Sequence, residues 1–141
     1  MSKAEMLEEI RCELGLLLKD VKDTNSWYPT VSRLLKEKMS HYQSIIIYLT
    51  DDSSFYFFDD ISDEEEIHHE RVPFGEEMLS VVAARGEISC DFTPIGQKIY
   101  IPFYHGHHLL GEMIVQTSQF VDDDELKFMK NIQSILSLTP F

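Results

Sequence analysis

Residues 99–115, IYIPFYHGHHLLGEMIV, decide how this chain reads. Two runs of β-branched, aromatic and aliphatic residues flank Gly106, which predicts strands over Gln97–Tyr104 and Leu109–Thr117. Tyr104-His105-Gly106-His107 is the turn between them, and the return strand is antiparallel. Side chains alternate across a strand, so Ile99, Ile101 and Phe103 share one side while Tyr100, Pro102 and Tyr104 share the other.

The same division appears upstream. Ser44–Thr50, SIIIYLT, reads as a strand buried on both faces, with Ile45, Ile47 and Leu49 opposing Ile46 and Tyr48. Asp51–Ser54 supplies a turn and Phe55–Phe58 a paired strand. The run Asp59–Glu66, DDISDEEE, reads as a short solvated loop, and Val72–Phe74 as a brief extended piece. Gly75 opens a helix over Glu76–Arg85, which Gly86 ends, and Ile88–Phe92 is a short strand.

Helices bracket these strands. Over Lys3–Lys22 the seam Leu7, Ile10, Leu14, Leu17 and Val21 follows helical spacing and reads first as cover for the domain's own sheet, with a share reserved for a second subunit as the alternative. A second helix is expected to be capped by Asn25 or Ser26, with Pro29 in its first turn, and to run to about Met39 with Tyr28, Val31, Leu34 and Leu35 inward. Asp122–Glu125 caps a last helix whose stripe is Phe128 or Met129, Ile132, Ile135 and Leu136. The order implies an α+β fold: a central antiparallel sheet, N- and C-terminal helices on one face and a connecting helix on the other. The aliphatic side of the strands best suits the terminal helices, and the tyrosine side then faces the connecting helix.

Composition narrows the function classes. With 141 residues the chain is expected to be one domain spanning 1–141. A net charge of −13 repels phosphate backbones and anionic lipid, so neither nucleic acid nor membrane is an expected partner. Cys12 and Cys90 are expected to be reduced thiols. The charged start MSKAEMLEEIRCE and the lack of an apolar run near the roughly 20 residues of a bilayer span suggest a cytoplasmic protein.

With the elements in this order, the chain resembles a stand-alone GAF domain. VPFGEEMLSVVAARGEISCDF resembles the family's strand, helix, "RxGE" and "D" run; IYIPFYHGHHLLGEMIV resembles its signature hairpin; SIIIYLTDDSSFYFF resembles the first hairpin. The resemblance covers roughly the whole chain. It implies either a small molecule bound between the sheet and the connecting helix or a module that only dimerises.

The candidate lining of such a pocket is Tyr48, Phe57, Val72, Met78, Cys90, Tyr100, Pro102 and Met113, apolar walls with a few polar tips. The same residues would also serve to close the second half of the core. Glu112 is the one charge in an apolar return strand; an exposed edge position explains it better than pairing with a cationic ligand does. No cofactor is expected. No metal is expected either: His105, His107 and His108 share one turn and His68 and His69 follow the acidic loop, but no cysteine or carboxylate completes a tetrahedral set with them.

One branch of the resembled family, the free methionine-R-sulfoxide reductases, is catalytic and needs a nucleophilic thiolate with resolving cysteines. RVPFGEEML resembles the stretch leading into one of those cysteines, yet that position here is Leu79; Cys90 falls near another, and Cys12 is remote on the first helix. The expectation is therefore a non-catalytic sensor or regulatory module that binds an unidentified small molecule. It would form a homodimer through its terminal helices and act on a signalling partner. The alternatives are a ligand-free dimerisation module and a reductase-like enzyme.

Overall fold

A computed structural model describes residues 2–62 and 71–138 of the chain. Two helices come first, α1 (Lys3–Leu18) and α2 (Thr24–Lys38), followed by the hairpin β1 (Tyr42–Thr50) and β2 (Ser54–Ser62). Then come β3 (Val72–Pro73), α3 (Glu77–Arg85), β4 (Ser89–Thr93), the hairpin β5 (Gly96–His105) and β6 (His108–Thr117), and α4 (Asp123–Leu136). The strands form one antiparallel sheet in the order β3-β2-β1-β6-β5-β4. The α+β class expected from the sequence is the one observed.

The two sides of the sheet bury different residues. Ile45, Ile47, Ile99, Ile101, Phe103, Met113 and Val115 pack under α1, α2 and α4, with Leu7, Ile10, Leu14, Trp27, Phe128 and Ile132 from the helices. On the other side Phe55, Val72, Tyr100 and Ile114 meet Leu79 and Val82 of α3. The α1 seam is turned into this chain's own core: Leu7, Ile10 and Leu14 are buried, and Leu17 and Val21 pack half-buried against it.

Several boundaries differ from expectation. α1 stops at Leu18 because the N–H groups of Lys19 and Asp20 fold back onto the Leu16 and Leu17 carbonyls, tightening the last turn. Asp23, not Asn25 or Ser26, caps α2: its carboxylate accepts the Ser26 N–H at 2.8 Å. Pro29 therefore lies inside the helix, beyond its first turn, where it has no N–H to offer the Asn25 carbonyl. Asp59–Ser62 extends β2 instead of opening a loop. The remainder of the acidic run, 63–66, and His68–His69 lie outside the described residues.

At one end of the helical layer, a buried ion cluster ties three segments together. The Glu125 carboxylate at the start of α4 accepts the Tyr42 phenol at 3.2 Å, contacts His41 Nε2 at 2.9 Å and lies 2.7 Å from Lys3 Nζ. Lys3 also reaches the α4 cap Asp122 at 2.8 Å. Burial disfavours the Glu125 charge, but the hydrogen bonds from His41 and Lys3 outweigh it and hold the carboxyl below its usual range. No helix among the described residues is long and apolar enough to cross a membrane.

Candidate functional site

The face covered by α3 is built around the centre of the sheet. β6 runs between β1 and β5, which places Glu112 opposite Tyr48 on one side and Pro102 on the other. Glu112 is not on an exposed edge: its relative exposure is 0%. Neither carboxyl oxygen has a hydrogen-bond partner among the described residues. Burial alone pushes its pKa up to about 9, so near neutral pH the group is an uncharged carboxylic acid, a donor as well as an acceptor.

Phenols surround this acid. Tyr48 packs edge-on against Phe57 with ring centroids 6.5 Å apart. Tyr100 is buried, and its pKa is pushed up to about 12 by burial first and then by Asp91, Glu112 and Glu77. Tyr104 is raised by burial and by Glu112. Its hydroxyl donates to the Ala83 carbonyl at 2.7 Å, tethering α3 to the sheet. Lys98 places its ammonium 5.9 Å from the centre of the Tyr100 ring. Leu79 and Val82 close the face from above, with Met78 and Ala83 half-buried beside them.

Gly111 makes the close strand approach possible. A Cβ there would lie 2.3 Å from the Tyr48 carbonyl oxygen and 2.9 Å from the Phe103 ring. Next to it the register shifts between Phe103 and Tyr104, because Leu110 is an extra residue on β6, a bulge that bends that strand and sets which of its side chains face α3.

A cavity of about 460 Å³ opens on the same side of the sheet, lined by Thr50, Asp51, Asp52, Phe55, Phe74, Gly75, Ser80, Ala83, His108 and Leu109. Phe55 and Phe74 meet edge-on at 5.2 Å in its wall. Asp51 shapes the rim: it accepts the N–H groups of Ser53 and Ser54 and pairs with Arg71, and the Ser53 bond leads in holding its pKa down to about 2. The cavity and the acid are neighbours and do not coincide. Leu109 in the cavity wall pairs with Tyr104 and Glu112 with Pro102, two ladder positions or ~7 Å along β5. We take Glu112 as the chemical centre, because a buried carboxyl without partners is costly to keep whereas a surface hollow is not.

Of the residues anticipated from sequence, Tyr48, Phe57, Val72, Met78, Tyr100 and Pro102 lie on this face. Two do not. Met113 alternates to the opposite side and is buried beneath the terminal helices. Cys90 pairs with Ile99 and so shares the terminal-helix side, exposed on the edge strand β4. Sequence reasoning left out Phe55, Leu79, Val82 and Ile114, which close the face, and misplaced Glu112. Alternation through the two-residue turn would have set Glu112 opposite Ile101 and Met113 opposite Tyr100; the register shift between Phe103 and Tyr104 moves Glu112 to the tyrosine side and Met113 off it.

The described residues contain no group of three or more His, Cys, Asp or Glu side chains arranged to hold a metal ion. Cys12 on α1 and Cys90 on β4 are both free and exposed. Burial, and then Asp91, raise the Cys90 thiol above its ordinary pKa, which disfavours the reactive thiolate. Leu79 occupies the buried face of α3.

No protein-family model matches the sequence. No curated protein matches it either. Solved structures do. The free methionine-R-sulfoxide reductase from Neisseria meningitidis, in complex with its substrate, superposes with a TM-score of 0.82 at 15% identity, over 97% of this chain and 89% of that one. A putative GAF sensor protein from Burkholderia vietnamiensis gives 0.82 at 14% identity, over 97% and 89%. The GAF domain of a phosphoenolpyruvate-protein phosphotransferase from Coxiella burnetii gives 0.80 at 16% identity, over 96% and 93%. The chain therefore has the GAF fold. Sensor domains and reductases share that fold, and at such identities the likeness extends no further.

Proposed function

We propose that this chain is a non-catalytic, GAF-type regulatory module that binds a small molecule on the sheet face beneath α3. The observation that carries the reading is Glu112, a fully buried carboxyl with no hydrogen-bond partner among the described residues, flanked by Tyr48 and Pro102. Folding leaves such a group in the centre of a sheet at a cost of about 1–3 kcal/mol, a cost that a ligand able to satisfy it would relieve. The adjoining cavity supplies room, and Tyr104 links α3 to the strands that also carry the terminal helices. A ligand that favours one packing of α3 would bias the whole sandwich, and the outer surfaces of α1 and α4 are where a second copy or a signalling partner would read the change. Thiol catalysis draws no support from two exposed cysteines on different elements and a leucine at position 79.

A thermal-shift screen of metabolites at millimolar concentration tests the proposal. At least one compound should raise the melting temperature of the wild-type chain and lose that effect in Glu112→Leu. If none stabilises the wild type, the small-molecule reading fails.

A further inference from the structure

The chemistry around Glu112 also selects among ligands. Resting on the reading above, we infer that the site takes a small organic cation, an amine or quaternary ammonium, whose charge pairs with the Glu112 carboxylate between the rings of Tyr48 and Tyr100.

Three observations converge. Glu112 shares its face with phenols on β1 and β5 and with the apolar Leu79, Val82, Met78 and Ala83 of α3, so no basic side chain among the described residues supplies its counter-charge. Among the described residues, the charged groups that act on Tyr100 besides Glu112 are Lys98, placed over its ring, and the acidic Asp91 and Glu77. Aromatic faces attract cations through their negative π-surface, and Lys98 shows Tyr100 used in that way. Finally, the adjoining cavity is rimmed by Asp52 and by Asp51, which Arg71 pairs, on a chain whose net charge of −13 gathers cations and repels anions.

Pairing has a proton balance. Free Glu112 carries its proton at neutral pH, and the bound cation needs the carboxylate, so one proton passes to solvent for each cation bound. A neutral or anionic ligand hydrogen-bonded by the acid releases none.

Choline tests the idea because its charge does not titrate, with butylamine as the hydrogen-bonding counterpart and 1-butanol and butyrate as neutral and anionic controls. Isothermal titration of the full chain between about pH 6 and 8 should show choline or butylamine affinity rising about tenfold per pH unit, with close to one proton released. In Glu112→Gln the pH slope and the proton release should vanish and affinity should fall at least tenfold. Butanol or butyrate binding as well as the cations, or cation binding that is flat with pH, overturns the inference and leaves the small-molecule reading standing. If none of the four binds while other metabolites do in the thermal-shift screen, the cation inference alone fails; if nothing binds in either experiment, both fail.

Discussion

Glu112 and Tyr48 are direct partners in the ladder between β6 and β1, on the face covered by α3, at the middle of the sheet. The pairing puts a fully buried carboxyl beside a phenol that makes no hydrogen bond to it. Several measurable consequences arise from this and from the packing on the opposite face.

Glu112→Gln should change how stability depends on pH. The folded-state pKa of Glu112, about 9, lies above the ordinary carboxyl value of 4.5, so between the two the folded chain holds a proton that the unfolded chain has lost. The contribution is fully present below about pH 4.5 and is lost as pH rises through about 9, at up to about 1.4 kcal/mol per pH unit. Urea denaturation at stepped pH should show wild type losing stability relative to the variant across that window. Equal pH profiles for the two would contradict the placement of the acid.

The Glu125 cluster should act in the opposite sense. Its folded pKa is lowered, so its contribution is present above the ordinary carboxylate range and disappears as pH falls through the folded value. His41→Ala should remove a partner from a carboxylate that is only 1% exposed, lowering stability by about 1–3 kcal/mol near neutral pH. The difference between variant and wild type should shrink on acidification, as circular-dichroism melts would record.

Leu14→Glu should unfold the chain and not merely dissociate subunits. Leu14 is completely buried among α1, α2 and α4, and a charge there combines a lost apolar contact with an unpaired carboxylate, together about 4 kcal/mol or more. Leu16→Glu, at a position 63% exposed, should stay within about 0.5 kcal/mol of wild type. A folded monomeric Leu14→Glu variant would require a different placement of α1.

Gly111→Ala should cost about 1–3 kcal/mol, because the added methyl meets the Tyr48 backbone carbonyl, which cannot swing aside as a side chain would. Gly15→Ala on α1, where a Cβ meets nothing within 4 Å, should be neutral or stabilising. Comparing the two denaturation midpoints separates a steric effect of the β1–β6 approach from the general effect of replacing glycine.

Incubation with free methionine-R-sulfoxide and a dithiol reductant should give no methionine above the uncatalysed rate. Cys90→Ser should match wild type in that assay, since the thiol is held on the terminal-helix side of the sheet. Turnover lost in Cys90→Ser would instead place catalysis at β4.

Local pattern carried much of the architecture. The β-branched run at 44–50, the Gly106 turn and the Gly86 stop each mark an element, and strand alternation alone separated Ile99, Ile101 and Phe103 from Tyr100 and Pro102. These are short-range consequences of side-chain shape and a two-residue repeat. Where a competing signal was close by, the local reading slipped: Asp23 outcompeted Asn25 and Ser26 as the α2 cap, and the acidic Asp59–Asp60 stayed in β2 because β1 offered it a full ladder.

Tertiary structure decided what a strand's neighbours were. The sequence places Glu112 on a return strand, but only the pairing of β6 with both β1 and β5 makes that strand central and takes the carboxyl out of water. Hairpin register sent Met113 and Cys90 to the far side, Met113 through the bulge beside Gly111, and helix packing brought Lys3, His41, Tyr42 and Glu125 together across more than a hundred residues of chain. Alternation fixes which residues share a face; only the closed sheet fixes what that face meets, and desolvation, which sets the chemistry of Glu112, is a property of that meeting.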